Sequence, residues 1–179
     1  MQTVEFAILD WIQAHLRCEL LDAFFPAFTT LANHGEIWIL LALCLMLWKS
    51  TRKTGLCVAA GLLTDLVVCN LTLKPLISRI RPFAVNAVVE LLVEAPHDAS
   101  FPSGHTAVSF AAVAALKTAG SPLWKPTAVV AALMAFSRLY LYVHWPTDIL
   151  GGIAVGGRCG WMGAKIVEKT AKTIKNRRA

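Results

Sequence analysis

His144 and Asp148 stand four residues apart in the segment SRLYLYVHWPTD, residues 137–148, with Arg138 just upstream. Pro146 suits the first turn of a helix, which places Asp148 in that same turn. A carboxylate there can hold one imidazole nitrogen and leave the other free as a nucleophile. Taken alone, Asp148 reads equally well as a helix cap. A second histidine, His105, closes the segment FPSGHT, residues 101–106. Pro102 and Ser103 ahead of an apolar run mark a helix start. Its free N–H groups and positive dipole end favour an anion, and Gly104 lets the backbone approach one closely. Taken alone, this is an ordinary helix start beside a bystander histidine. The third cluster, KPLISRIRP, holds Lys74 and Arg81 seven residues apart. That is about two helical turns, so the two cations share one face. Pro82 ends the helix there and holds Arg81 at the membrane surface. The same pattern also describes cations snorkelling at a helix end.

The elements that must position these residues are apolar. Of 179 residues, 56% are hydrophobic and 16% charged, with a mean hydropathy of +0.59. Average soluble proteins carry about 25% charged residues. Too few polar faces remain to cover a soluble surface, so lipid is the solvent for much of this chain. Apolar spans are expected near 36–49, 54–78, 104–119, 124–142 and 146–167. Residues 3–17 form an amphipathic helix, with Val4, Ile8, Trp11, Ile12 and Leu16 on its apolar stripe and Glu5, Asp10 and Arg17 elsewhere. It is too polar to span and belongs at the interface, with Trp11 at headgroup depth. Residues 19–33 make a second short helix, irregular at Pro26. The expected organisation is one domain, 1–179: interfacial helices over 1–35, a transmembrane core over 36–167 and a frayed basic tail over 168–179. Within the long loop 83–101, AVNAVVELLVEA suits a short interfacial helix, and the loop reads as a lid or as a connector.

Charge orients the bundle. Lys49, Arg52, Lys53, Lys117, Lys125, Lys165, Lys169, Lys172, Lys175, Arg177 and Arg178 fall at one set of span ends. The positive-inside rule puts that set in the cytoplasm and the histidine clusters on the extracytoplasmic face. The net charge of +6 is spread over span ends rather than a stripe interleaved with aromatics, so nucleic acid is not the expected partner. The five cysteines show neither CxxC nor Cys/His ligand spacing, and most lie inside apolar segments as buried thiols. Gly152, Gly156 and Gly160 form a small-residue stripe suited to close helix packing.

Two histidines, one aspartate and up to four cations thus converge on one membrane face, where ionisable groups are costly and functional by default. Cations suit phosphate, arginine with a forked pair of donors. Paired histidines suit a covalent mechanism that splits one displacement into two. No carboxylate cluster suited to Mg²⁺ is present, which leaves charge neutralisation to the cations.

The pattern K-x6-RP, PSGH and SR-x5-H-x3-D, from Lys74 to Asp148, resembles the type 2 phosphatidic acid phosphatase (PAP2) superfamily. All three motifs occur in order with intact spacing. The resemblance implies an all-α, polytopic transmembrane helical bundle of about five to six membrane helices plus the N-terminal interfacial helix. It implies that His144 attacks phosphorus, that Asp148 orients it and that His105 protonates the leaving oxygen. Lys74, Arg81, Arg138, Ser103 and the Gly104 N–H would bind the phosphoryl oxygens, with no metal and no cofactor. Arg79 stands outside the motif and receives no role. The implied activity is hydrolysis of a lipid phosphate or diphosphate at the outer face of a bacterial cytoplasmic membrane. Undecaprenyl diphosphate leads, with phosphatidylglycerophosphate and phosphatidic acid as rivals and phosphotransfer to another acceptor as a second class. The motifs read the phosphate and leave the tail and the oligomeric state open.

Overall fold

A computed structural model describes residues 2–178, the side chains from 3 to 177. All regular structure among the described residues is helical: α1 Gln2–Leu16, α2 Glu19–Thr30, α3 Glu36–Leu47, α4 Arg52–Asp65, a π-helical stretch Leu66–Leu73, α5 Lys74–Ile77, α6 Pro82–Val85, α7 Gly104–Thr118, α8 Trp124–Tyr140 and α9 Pro146–Arg178. Helices occupy the expected apolar segments: α3, α4 to α5, α7 and α8 lie within a few residues of the predicted limits, while α9 runs on to Arg178. Pro26 sits inside an unbroken α2.

Apolar residues face outward as well as inward. Leu40, Leu43, Leu63, Leu71, Val129 and Leu150 are all exposed, whereas Asp65, Thr106, Ser109 and Arg138 are buried. An apolar surface over an interior that also holds buried polar and charged groups is the arrangement of a protein solvated by lipid. Among the described residues, the stretch Arg52–Val85 is the one long and apolar enough to cross a membrane by itself; Glu36–Leu47 is apolar but shorter.

The glycine stripe sets the core. A Cβ on Gly156 would lie 2.0 Å from the Ala107 carbonyl oxygen, and one on Gly160 2.1 Å from that of Ala111. One on Gly163 would meet the backbone of Gly61 on α4. Bare backbone on α9 therefore lets α7 and α4 approach to van der Waals contact.

Four expectations change. The α5 helix stops at Ser78, which adopts φ 47° in the left-handed region, so Pro82 is not what ends it. Residues 86–95 are not helical. Leu91, Leu92 and Val93 instead pack in irregular chain on Ile12, Phe25 and Tyr140, which uses their apolar surface without a helix. The basic tail is not frayed: α9 continues to Arg178, supported by a Lys165–Glu168 pair at 2.8 Å and by cations near its C-terminus. On α1 the expected apolar stripe divides: Ile12 is buried beside Glu5 and Leu9, while Val4, Ile8 and Trp11 point outward.

Gly156→Val is expected to destabilise the bundle by about 1–3 kcal/mol or more through overpacking. Gly157→Ala, whose Cβ meets nothing within 4 Å, should leave stability unchanged or raised. Thermal unfolding in detergent compares the two.

Candidate active site

Asp148 lies in the first turn of α9 and is fully buried. A buried carboxylate needs donors, and this one has four. Its Oδ1 accepts from Arg79 Nη1 at 2.6 Å, and its Oδ2 accepts from the Trp145 N–H at 2.9 Å and from the Ser100 hydroxyl. The fourth is His144, whose Nδ1 lies 3.3 Å from Oδ2. A carboxylate only accepts, so Nδ1 carries the imidazole proton and Nε2 keeps a lone pair. Arg81 Nη1 donates toward that Nε2 at 3.2 Å and to the Val143 carbonyl at 2.7 Å. Burial, then the positive charges of Arg81, Arg138 and Lys74, hold His144 well below the ordinary histidine range. The imidazole is therefore neutral at neutral pH, the form a nucleophile requires.

The short connection from α8 to α9 aims this histidine. Tyr142 adopts φ 59°, a strained conformation for a residue with a Cβ. It is held there by burial and by its hydroxyl, which donates to Asp10 at 2.7 Å and accepts from Asn86 at 3.2 Å.

Lys74 and Arg81 meet, but not along one helix face as their spacing suggested. The left-handed turn at Ser78 separates them, and Arg81 becomes the residue that precedes α6. Asp98 gathers them instead. Its Oδ2 pairs with Lys74 Nζ, its Oδ1 with Arg81 Nη2 at 2.6 Å, and its carbonyl accepts from Arg81 Nε at 2.9 Å. Partial burial opposes ionisation of Asp98, but the two cations outweigh it and hold the carboxyl down to about 2. Arg138, on α8, is buried; it donates to Thr29 of α2, and its Nε has no partner among the described residues.

No side chain caps the first turn of α7. A Cβ on Gly104 would sit 3.4 Å from Lys74 Nζ, so the glycine backbone faces that ammonium directly. His105 follows, its Nε2 3.1 Å from Asn33 Oδ1. Lys74, Arg81, Gly104, His105, Arg138 and His144 line one end of a single cavity of about 1190 Å³. Its other arm runs between α3 and α4 past Ile39, Leu43, Met46, Leu62 and Leu66. Asp148 stands behind His144 rather than on the wall. Ser103 is also set back: its hydroxyl accepts from Thr106 at 3.0 Å and its N–H donates to the Asp148 carbonyl at 3.1 Å.

Five contributors escaped the sequence reading. Arg79, noticed but given no role, grips Asp148. Asp98 and Ser100 come from the loop 83–101, which is thus part of the site rather than a plain connector. Glu5 and Thr29 lie on the N-terminal helices, far from any motif, and nothing local in the sequence marks them.

A helical bundle with two histidines and three cations around one cavity is the architecture of a phosphoryl-handling membrane protein. The family model of the PAP2 superfamily matches residues 54–172, and the chain belongs to that family. It is a phosphoric ester hydrolase of the PAP2 lipid phosphatase type and a membrane protein. It is similar to an undecaprenyl-diphosphatase of Sulfolobus acidocaldarius, 32% identical over 139 residues that cover 76% of this chain and 67% of the relative. Its structure is similar to the crystal structure of Aquifex aeolicus LpxE, with a TM-score of 0.77 and 28% identity over 89% of this chain and 94% of that one. The transmembrane PAP2-type phosphatidylglycerolphosphate phosphatase of Bacillus subtilis shares the fold, with a TM-score of 0.73 and 23% identity over 94% of this chain and 86% of the other.

In ¹⁵N spectra of histidine-labelled protein, His144 is expected as the Nδ1–H tautomer at neutral pH. It should stay neutral as pH is lowered past the ordinary histidine value of about 6.5. Protonation of His144 at or above that value would contradict the assigned environment.

Proposed function

We propose that this protein hydrolyses a lipid phosphate or diphosphate through a phosphohistidine at His144, with undecaprenyl diphosphate as the favoured substrate. The observation that carries the reading is the His144 imidazole, tied at Nδ1 to Asp148 with Nε2 turned toward Arg81 in a cation-lined cavity. In the first step the Nε2 lone pair attacks the terminal phosphorus and the P–O bond to the lipid leaving group breaks. His105 gives that oxygen its proton. Asp148 stabilises the imidazolium that forms. In the second step His105 takes a proton from water, the hydroxide attacks phosphorus, and the P–N bond breaks to release phosphate and neutral His144.

Lys74, Arg81 and Arg138 neutralise the transferring group, helped by the Gly104 N–H, while the Ser103 hydroxyl supports the start of α7 through Thr106, so the chemistry needs no metal and no cofactor. Arg138 brings an Nε that no protein group uses. The phosphoryl group replaces Asp98 as the partner of Lys74 and Arg81. The apolar arm between α3 and α4 takes the lipid tail, and the relative named as an undecaprenyl-diphosphatase favours a polyprenyl chain.

In this reading α3, α4–α5, α7, α8 and α9 each cross a bacterial cytoplasmic membrane. The cations of the 49–53 and 117–125 turns and of the 168–179 tail lie in the cytoplasm, and the site opens outward. Residues 1–179 act as one domain whose N-terminal helices rest in the interface.

Purified protein in excess EDTA is expected to release phosphate from undecaprenyl diphosphate faster than from phosphatidylglycerophosphate or phosphatidic acid. His144→Ala should cut the rate by roughly 10³-fold or more, as loss of a covalent nucleophile does. Release that stops in EDTA, or survives in the variant, overturns the mechanism. A different order of rates reassigns the lipid, and a phosphorylated acceptor in place of free phosphate reassigns the reaction to transfer.

A further inference from the structure

Arg79 and Glu5 belong to no motif, yet they continue the line of charge behind His144. Arg79 Nη1 donates to Asp148 Oδ1 and to Thr147 Oγ1, each at 2.6 Å, and its Nη2 donates to Glu5 Oε2 at 2.7 Å. Glu5 is itself buried on the inner face of α1. Its Oε1 accepts from the Thr147 N–H at 3.2 Å and from the Thr147 hydroxyl at 2.6 Å. Trp145 shields the pair, with its ring centroid 5.2 Å from the Arg79 guanidinium carbon and Phe6 of α1 packed edge-on against it.

We infer that Glu5 and Arg79 are positioning residues for the reaction, acting through Asp148 on the basicity and aim of His144. This rests on the reading of His144 as nucleophile. Arg79 fixes the carboxylate plane so that Oδ2 faces the imidazole. Unopposed, its positive charge would also weaken the hold of Asp148 on the imidazolium formed during reaction. Glu5 cancels that charge. The chain of alternating signs, Glu5–Arg79–Asp148–His144, leaves Asp148 oriented yet still fully negative toward its histidine. The helix α1 is thereby part of the reactive centre rather than a passive anchor.

A purely structural role predicts that any break in the chain loosens His144 in the same way. The charge chain predicts opposite effects, because Glu5 and Arg79 carry opposite signs. The groups facing Asp148 that bear on this are Arg79 and Arg81 from the 78–81 turn, Ser100 from the loop, and Thr147 and His144 flanking its own turn, with Glu5 and Asp98 one contact further out.

The test is the His144 Nδ1–H proton resonance at neutral pH, read in ¹H–¹⁵N spectra alongside kcat and KM. Glu5→Gln keeps an acceptor for Thr147 and removes the charge. It should move the resonance upfield, as the bond to Asp148 weakens, and lower kcat roughly tenfold with KM held within about twofold. Arg79→Gln should move the resonance downfield. The double variant removes the opposite-sign pair as a unit and leaves Asp148 its Ser100, Trp145 and His144 donors, so in folded protein it should return toward the wild-type position. Shifts of one sign in both single variants, or a double variant displaced from wild type in folded protein, overturn the proposal. Because the resonance is read without turnover, this failure is distinct from failure of the hydrolytic reading, which the His144→Ala assay reports.

Discussion

The structure turns on the burial of one carboxylate. Asp148 has no contact with solvent, and an unpaired carboxylate in such a place would cost several kcal/mol. Its four donors come from three parts of the chain: Arg79 from the turn after α5, Ser100 from the long loop, the Trp145 N–H and His144 from the approach to α9. Satisfying this anion therefore fixes three separate loops against one another. Removing any one donor would leave the rest to hold an under-paired charge, so the loops cannot be adjusted independently. His144 inherits its orientation from that constraint.

The helices must deliver those loops in register. The backbones of α7 and α9 come into direct contact along the glycine stripe, and at its upper end a Cβ on Gly152 would lie 2.8 Å from the Ser103 carbonyl oxygen. The Ser103 N–H then reaches the Asp148 carbonyl at 3.1 Å. The start of α7, which bears His105, is thus locked to the start of α9, which bears Asp148. Small residues deep in the bundle set the spacing of His105 and Asp148 at its end. On the other side of the cavity, α2 reaches across to hold Arg138 through Thr29.

What was legible in the sequence follows from range. His144 and Asp148 lie within one helical turn, and the PSGH segment is a helix start, so local rules place them. The glycine stripe at a spacing of four also announced its packing. Lys74 and Arg81 were rightly brought together but by the wrong device, because a left-handed Ser78 is a single backbone choice with no side-chain signature, and Asp98 acts from 17 residues away. Glu5 received no role for a related reason. On a helix with lipid on one side and protein on the other, both faces carry apolar residues, and the stripe with more of them proved to be the lipid face. A carboxylate on the inner face is explained only by Arg79, 74 residues further along the chain.

Asp98 also bears on which phosphates the site can accept. Lys74 and Arg81 are already engaged by one carboxylate, a single charge shared over two oxygens. On the proposed mechanism a substrate must displace it. A phosphodiester in the surrounding membrane offers the same single charge and gains nothing by the exchange. A terminal phosphate carries up to two charges on three oxygens, enough to take both cations and the free Nε of Arg138 at once. On that mechanism the resident carboxylate would set a threshold that terminal phosphates clear and diesters do not. An enzyme immersed in phosphodiester lipid has need of such a threshold, since bulk lipid otherwise competes for any exposed cation pair. The apolar arm then has only to rank tails among the terminal phosphates that the cations admit.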